Sequence, residues 1–327
     1  MRIPPAAGHS ATRMHHHGQL GDLFLIHVIN ILLKWVTLNI YHFWGKTRIR
    51  EYLWSHQGFE GDRFEYTGRG KELFIGFLKA ALAMVALIIL AAFLYGRVGP
   101  SMNPSFVLAT LVIFATAQFL MALAGYSARG YLLTRTRWRS IRFFQTGSPP
   151  EYAVQAVGHG LLVILTLGLY WPFRRHVLLR YKINNTWFGT EKFAYGGTGK
   201  DLFGFFVLSY LLTIPTLGLI WFWYLARDAA YVASRTRLGA LRFTLGYTGG
   251  QLLWLRLSNF VLSIVTLGLG YPWVTLRNVR FLFEHLRLQG ELDYERILQR
   301  QEEMPRSGEG LAEIFGVSGT FLGLGRI

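Results

Sequence analysis

A short motif at the end of three apolar segments, Thr-Leu-Gly-Leu, constrains this chain more than any other feature. It begins at Thr166, Thr216 and Thr266, which are 50 residues apart. A related stretch, TLNIYHFW, begins at Thr37. A fixed period of this length predicts a fold built from repeated units. Each unit interrupts an apolar segment with residues that permit a sharp turn.

A second motif follows the same period. It contains a basic residue, a large apolar anchor, a glycine and an acid before the next apolar segment, as in RFEYTGRGKELF from Arg63 and KFAYGGTGKDLF from Lys192. The anchors fall at positions 14, 64, 143, 193, 243 and 292. Alternating side chains before the glycine predict a short strand, and the acid favours the start of a helix. The predicted unit is strand, turn, membrane segment, basic helix and next strand.

The composition is that of a membrane protein. The 327 residues are 52% hydrophobic and 16% aromatic, and six apolar runs of about 20 residues or more can each cross a hydrocarbon layer of roughly 30 Å. These runs cover residues 20–44, 73–95, 106–126, 153–173, 202–226 and 257–276. We expect an all-α integral membrane protein over residues 13–300, with short repeated strands at its cytoplasmic face. Residues 1–12 and 301–327 are predicted to be disordered.

The basic residues bear on topology. Six alternating spans would divide Lys and Arg almost equally between the two sides, whereas the positive-inside rule expects a bias. We therefore favour several re-entrant hairpins, which enter and leave by one face and keep most basic loops cytoplasmic. Two full spans are expected only between the anchors at 64 and 143, where the unit is 29 residues longer than the 50-residue period. Six ordinary spans with kinked ends are the alternative.

A turn inside a membrane needs unusual backbone angles and must satisfy the polar groups that it frees. Threonine hydroxyls can bond free carbonyls, glycine and asparagine permit positive φ, and proline starts or breaks helices. The predicted turn residues are Thr37, Asn39, Thr166, Gly168, Pro172, Pro215, Thr216, Gly218, Thr266, Gly268 and Pro272.

The formal net charge of +16 comes from basic residues that lie beside the apolar runs. This position favours membrane lipids with anionic headgroups, and not nucleic acid, as the partner. The residues predicted to hold headgroups are Arg135, Arg137, Arg174, Arg175, Arg235 and Arg237. The sequence makes no prediction of the oligomeric state.

The sequence offers little chemistry. It has no cysteine, and it contains no nucleophile elbow, zinc-binding helix or cofactor motif. We therefore predict no enzyme, no cofactor and no catalytic, cofactor-binding or metal-binding residue. His27, Asn30 and Lys34 fall within the first apolar run. They either line a polar pathway or, as we favour, form interhelical hydrogen bonds and a lysine that extends to the interface.

The combination of FxYxGxGxELF, TLGLYWP and the turn Asn184-Asn185-Thr186 resembles the YjgN-like family of bacterial inner-membrane proteins. The resemblance covers residues 18–300 and implies a multi-pass protein of the bacterial inner membrane. This family has no established reaction. We expect a non-enzymatic membrane scaffold or anionic-lipid-interacting protein, because polar residues in the apolar runs are few. The alternative is a small-solute transporter or channel whose path is lined by broken half-helices.

Overall fold

The structure is a computed structural model that describes residues 12–13, 15–16, 18, 20–98, 103–290 and 297. Within these residues, pairs of helices alternate with pairs of short strands. The helices are α1 (Leu20–Val36), α2 (His42–Ser55), α3 (Gly70–Val98), α4 (Pro104–Thr134), α5 (Pro149–Leu165), α6 (Trp171–Asn184), α7 (Lys200–Leu211), α8 (Ile220–Ser234), α9 (Gly249–Val265) and α10 (Tyr271–His285). The strands are β1 (Thr12–Arg13), β2 (His15–His16), β3 (Gln57–Phe59), β4 (Asp62–Tyr66), β5 (Thr136–Trp138), β6 (Ile141–Gln145), β7 (Thr186–Phe188), β8 (Glu191–Tyr195), β9 (Thr236–Leu238), β10 (Leu241–Leu245) and β11 (Leu286–Gln289).

Capping residues mark the starts of several helices. The side chain of Asn103 accepts a hydrogen bond from the Phe106 N–H at 2.8 Å, and Pro104 follows it at the start of α4. Thr248 and Gln251 form a reciprocal capping box at the start of α9. Such caps satisfy N–H groups that have no partner within the helix. The cap at Thr248 lies where the chain leaves β10 and enters α9.

The strands form one antiparallel sheet whose two ends meet. Its order is β1-β11-β10-β9-β8-β7-β6-β5-β4-β3-β2, so from β2 to β11 neighbours in sequence are neighbours in the sheet. The N-terminal segment closes it, because Thr12 and Arg13 pair with β11 while His15 and His16 pair with β3. The ladder therefore runs around a closed ring, in which this segment joins the first unit to the last.

The helices close in the same way. Each helix contacts the next from α1 to α10, and α10 contacts α1. The pairs α1/α2, α5/α6, α7/α8 and α9/α10 are antiparallel, with a strand before the first helix and a strand after the second. We call these four pairs the short hairpins. Their turns lie at the end remote from the sheet, and α3 with α4 forms a fifth, longer pair in the same ring.

One face of the sheet forms the main core. Large side chains on alternate strand positions lie directly opposite each other, as in Phe64 with Trp138 and Phe143 with Phe188. Ring contacts continue along the ladder, with centroids 5.8 Å apart between Trp138 and Phe188 and 6.4 Å apart between Phe143 and Phe193. Side chains from α4, α6 and α8 cover this face. These aromatic rings are buried against their cross-strand partners and against the helices, and this burial stabilises the short strands.

An acid at the start of each of three first helices holds the two helices of the pair together. Its carboxylate accepts a hydrogen bond from a tyrosine hydroxyl near the end of the returning helix. The bonded pairs are Glu72 with Tyr131, Glu151 with Tyr181 and Asp201 with Tyr231. The acid therefore does more than favour the helix dipole, because it joins both helices at the sheet end.

Two glycines allow neighbouring hairpins to approach closely. A Cβ added at Gly199 would lie 2.6 Å from the Cα of Phe173, and one added at Gly249 would lie 2.6 Å from the Cα of Trp223. Both obstacles are backbone atoms of the preceding hairpin's second helix. The packing of α6 against α7 and of α8 against α9 therefore depends on the absence of a side chain at these two glycines.

The predicted all-α fold is wrong in two respects. The described chain contains a closed antiparallel sheet as well as helices. Of the six apolar segments, only those in α3 and α4 form helices that are long and apolar enough to cross a membrane, within the residues that were searched. Each of the other four is divided between two helices by a turn.

The predicted boundaries fall partly outside the described residues. This applies to residues 1–11 and 301–327, which make up most of the predicted disordered ends, and to the predicted anchors at positions 14 and 292. Thr12, which was placed in the disordered start, lies in β1.

We predict that Gly249→Ala destabilises the purified protein by about 1–3 kcal/mol, because the new methyl group would overlap the Trp223 backbone. Gly250→Ala is the matched control, since nothing lies within 4 Å of a Cβ at that adjacent position. Thermal unfolding in detergent should give a lower midpoint for the first variant and an unchanged or higher midpoint for the second. Equal midpoints would contradict the close packing of α8 and α9.

Candidate membrane-contact site

The turn of each short hairpin contains a leucine in the left-handed conformation. The φ angles are 49° at Leu38, Leu167 and Leu217 and 50° at Leu267. The following residue also has positive φ, with 70° at Asn39 and 80° to 93° at the three equivalent glycines Gly168, Gly218 and Gly268. A non-glycine residue in this region costs roughly 1–2 kcal/mol. Two consecutive left-handed residues end the first helix and reverse the chain.

A threonine hydroxyl joins the two helices at every one of these turns. It donates to the carbonyl four residues earlier, at 2.6–2.7 Å. It also accepts from the backbone N–H four residues later, at 2.8–3.4 Å. The four residues are Thr37, Thr166, Thr216 and Thr266. Each hydroxyl therefore bonds both the end of the outgoing helix and the start of the returning one.

The rest of the turn backbone is also hydrogen-bonded. Every N–H from Thr166 to Trp171 donates to an oxygen of the same hairpin. Among these bonds, the Gly168 N–H donates to the carbonyl of Val163, five residues earlier, at 2.7 Å, the pattern of a Schellman-type helix end. The backbone N–H groups of this turn therefore need no hydrogen bond to water.

The same turns expose large apolar side chains. Leu38, Leu167, Leu217 and Leu267 are 89%, 81%, 92% and 91% exposed. Further apolar residues are exposed on the adjoining helices, including Val265 at the end of α9. We call the four turns with these leucines the leucine tips. They combine satisfied N–H donors with an apolar surface that nothing else in the described chain covers.

The predicted prolines lie around these turns in two ways. Pro172 and Pro272 occupy the first turns of α6 and α10, where a missing N–H is tolerated. Pro215 lies within the longer turn between α7 and α8. The predicted turn residues are thus found together at the four tips, whereas the leucine with positive φ was not predicted.

The two long helices expose apolar surface over a greater length. α3 has 29 residues and α4 has 31, so each is about 45 Å long. Only 17% and 6% of their most apolar 18-residue windows are buried. A core helix of a water-soluble domain would be mostly buried along such a window. Two helices are therefore long and apolar enough to cross a membrane.

The arginines predicted to hold headgroups have different surroundings. Arg135 donates to both carboxylate oxygens of Glu72, at 3.0 and 2.9 Å, so it belongs to the junction of α3 and α4. Arg174 lies 5.7 Å from the ring centre of Trp171. Arg137 and Arg237 lie on strands β5 and β9, and Arg235 lies 3.8 Å from Asp201.

Arg175, the remaining member of that set, belongs to a buried cluster between α6 and α8. Its Nε donates to Asp228 Oδ2 at 2.7 Å. His176 Nε2 lies 3.3 Å from Asp228 Oδ1, and His176 Nδ1 hydrogen-bonds the Tyr195 hydroxyl. Asp228 and His176 are each only 1% exposed. The cluster therefore links the second helices of two hairpins to strand β8.

Electrostatics explain why Asp228 stays ionised in this cluster. Burial alone would raise the pKa of its carboxyl, but His176 and Arg175 together hold that pKa below its usual value. A carboxylate paired with two cationic or donor groups is the stable form at neutral pH. Asp228 lies just after the apolar run at residues 202–226, and the sequence analysis did not select it. Its single usable signal was an acid inside an otherwise apolar helix.

The three polar residues of the first apolar run do not form one group. Asn30 is 2% exposed, and its amide donates to the Gly45 carbonyl of α2 at 3.2 Å. The His27 ring stacks on Tyr271 of α10, with centroids 5.4 Å apart. Lys34 lies in the last turn of α1. Asn30 and His27 thus connect neighbouring helices in the ring. Among the described residues, no three His, Asp or Glu side chains cluster as a metal site requires.

Comparison with known proteins identifies the family. The family model "Bacterial protein of unknown function (DUF898)" matches residues 11–222 and 205–314. The chain belongs to this bacterial family. The DUF898 family is the YjgN family, so the resemblance seen in the sequence motifs is confirmed. No curated protein and no solved structure matches this DUF898 chain.

We predict that stability in detergent depends on Asp228 and on pH. Because the folded-state pKa is depressed, the carboxylate stabilises the fold above about pH 5. This stabilisation is lost as the pH falls below the unfolded value of about 3.9 toward the folded pKa. Asp228→Asn should unfold at a clearly lower temperature at pH 7, since removal of one partner leaves Arg175 buried without its counterion.

The difference between Asp228→Asn and the unaltered protein should then shrink as the pH falls. Asp62→Asn is the control, because Asp62 makes a more exposed ion pair with Arg139, and it should change the midpoint little. A constant difference between Asp228→Asn and the unaltered protein from pH 7 down to about pH 2 would contradict an ionised Asp228.

Proposed function

We propose that this DUF898 protein is a non-enzymatic, multi-pass protein of the bacterial inner membrane that embeds a closed helical ring in lipid and contacts anionic headgroups. The observation that carries the proposal is the leucine tip. Its backbone N–H groups are bonded within the hairpin, while its leucines are 81% to 92% exposed. Hydrocarbon tolerates helix reversals only where polar backbone groups are satisfied internally, and exposed leucines gain free energy there.

Helix lengths support a common depth for the four tips. α5 and α9 have 17 residues each, which is about 25 Å, and α3 has 12 more. Those 12 residues add about 18 Å, slightly more than half of a hydrocarbon core of roughly 30 Å. With the sheet on one side, the short hairpins would end near the middle of the bilayer. The two long helices would cross it.

The surface of the helices supports the same arrangement. Along α9, Trp254, Phe260 and Val265 are 68%, 63% and 74% exposed. Cationic side chains lie over aromatic rings near the sheet end of other hairpins, as Lys182 does over Tyr152 and Arg235 over Tyr231. Basic side chains beside tyrosines are typical of the headgroup region. We assign the anionic-lipid contacts to this zone.

The buried polar groups support structural roles more than catalysis or transport. Asp228 is held by Arg175 and His176, and Glu72 is held by Arg135 and Tyr131. A general base or an ion-coupling carboxylate needs a face open to a substrate or ion. In both clusters, the carboxylate instead joins two elements of the ring.

Depth-dependent quenching tests the position of the tips. The chain has no cysteine, so Leu217→Cys and the control Ala240→Cys can each carry one environment-sensitive fluorophore. Ala240 lies in the exposed turn between β9 and β10 of the same unit. In vesicles, the label at position 217 should be quenched by lipids brominated near the end of the acyl chain. The label at position 240 should be quenched by aqueous iodide. Iodide quenching at position 217 would place the tip in water.

Sidedness tests the two spans separately. Arg97 lies at the far end of α3, so Arg97→Cys and Ala240→Cys should react with a membrane-impermeant maleimide from opposite sides of sealed vesicles. Reaction of both from one side would show that α3 does not cross the bilayer.

A further inference from the structure

Two strand pairs carry the same three arginines. The first pair, β5 and β6, contains or adjoins Arg135, Arg137 and Arg142. These correspond to Arg235, Arg237 and Arg242, which lie 100 residues later in or next to β9 and β10. In the sheet register, Arg137 lies directly opposite Arg142, and Arg237 lies directly opposite Arg242. Like charges directly opposite each other on neighbouring strands are destabilising. Both pairs therefore need compensation from an anion.

In the first of these units, the crowding has visible effects. Burial, with the charges of Arg137 and Arg135, lowers the pKa of the Arg142 guanidinium below its usual value. The Nε of Arg137 is buried and has no hydrogen-bond partner. Arg135 is neutralised by Glu72 at 2.9 Å. The carboxylate of Glu72 thus already neutralises one of these three arginines.

In the later unit, the arrangement is open. A pocket of about 270 Å³ is lined by Gly196, Ser234, Arg235, Thr236, Arg237 and Arg242. Among the described residues, no carboxylate lines it. The acid of that part of the chain that approaches its arginines is Asp201, whose Oδ2 lies 3.8 Å from Arg235 and accepts a hydrogen bond from Tyr231. Arg237 and Arg242 are exposed and make no ion pair within the described part of the chain.

The other polar groups of the pocket do not compete for an anion. The Ser234 and Thr236 hydroxyls donate to carbonyls of α8, at 2.9 and 2.7 Å. The Arg235 carbonyl accepts from the Gly196 N–H at 3.2 Å. The groups without an ion pair that converge on the pocket are therefore the guanidinium groups of Arg237 and Arg242, and Arg235 lies beside them.

We propose that this pocket binds a phosphate group with two or more negative charges. Guanidinium forks bond tetrahedral phosphate oxygens in pairs and hold their charge at every physiological pH. A pocket of about 270 Å³ suits one phosphorylated group better than an extended polymer. This site rests in part on the proposed function and deepens it, because Arg235 and Arg237 are among the arginines predicted to hold anionic headgroups. The phosphate can come from a soluble phosphorylated molecule or from a lipid headgroup.

Calorimetric titration with inorganic pyrophosphate tests the site. The full chain in neutral detergent at low ionic strength should bind pyrophosphate. Arg237→Gln and Arg242→Gln should each raise the Kd at least about tenfold. Arg63→Gln is the matched control, because Arg63 occupies the equivalent position in β4 but lies opposite Gly58. It should leave the Kd unchanged. Without pyrophosphate, Arg242→Gln should unfold at the same or a higher temperature, since it removes repulsion and no contact.

Nanodiscs distinguish the two sources of phosphate. If the ligand is soluble, phosphatidylglycerol and phosphatidylcholine discs should bind pyrophosphate equally well. If it is a headgroup, phosphatidylglycerol should block pyrophosphate, and Arg237→Gln should relieve the block. Either result supports the pocket. Absence of pyrophosphate binding in detergent, or equal weakening by Arg63→Gln, would overturn it. Because the detergent titration needs no bilayer, its failure is distinct from a failure of membrane insertion.

Discussion

The threonine hydroxyl at each leucine tip is the interaction on which the rest of the structure depends. It bonds a carbonyl of the outgoing helix and an N–H of the returning helix, so the chain reverses without exposing the donors of the turn. Without that reversal, the apolar segment would continue as one long helix, as α3 does. The strands before and after that helix would then lie at its opposite ends and could not pair in one sheet. The closed sheet exists because each pair of helices returns to the level at which it started.

Closure explains why the units are bound so closely together. A strand pair with one hairpin cannot bury its aromatic face alone, so each unit uses its neighbours as partners. Gly249 allows α9 to approach α8, and the acid with its tyrosine joins each of three helix pairs at the sheet. Open repeat arrays expose two end surfaces. Here the N-terminal segment pairs with β11 and with β3, which leaves neither sheet end exposed.

The sequence predicted local features well and long-range ones poorly. The short strands after the basic helices and the positions of the turns could be predicted, because Gly168 and the alternating Phe193 and Tyr195 have local preferences. The all-α fold was wrong because strands of three to five residues do not reveal their pairing partners. The closure by residues 12–16 joins ends that are over 270 residues apart in the chain, and no local signal predicts it.

The tip leucines and the Asp228 cluster were missed for different reasons. Leucine has no preference for positive φ, so Leu217 could only be found in the structure. Asp228 depends on Arg175, which is 53 residues away in sequence. In contrast, the opposed arginines of β9 and β10 are close in sequence, but they become informative only when the register is known.

An electron cryomicroscopy map of the full chain in lipid nanodiscs tests the central claim most directly. The distance from the headgroup layer on the sheet side to the Leu167, Leu217 and Leu267 tips should be about 15 Å, half of the hydrocarbon thickness. Only α3 and α4 should reach the opposite headgroup layer. Tips that lie level with the headgroups or in solvent would contradict the account.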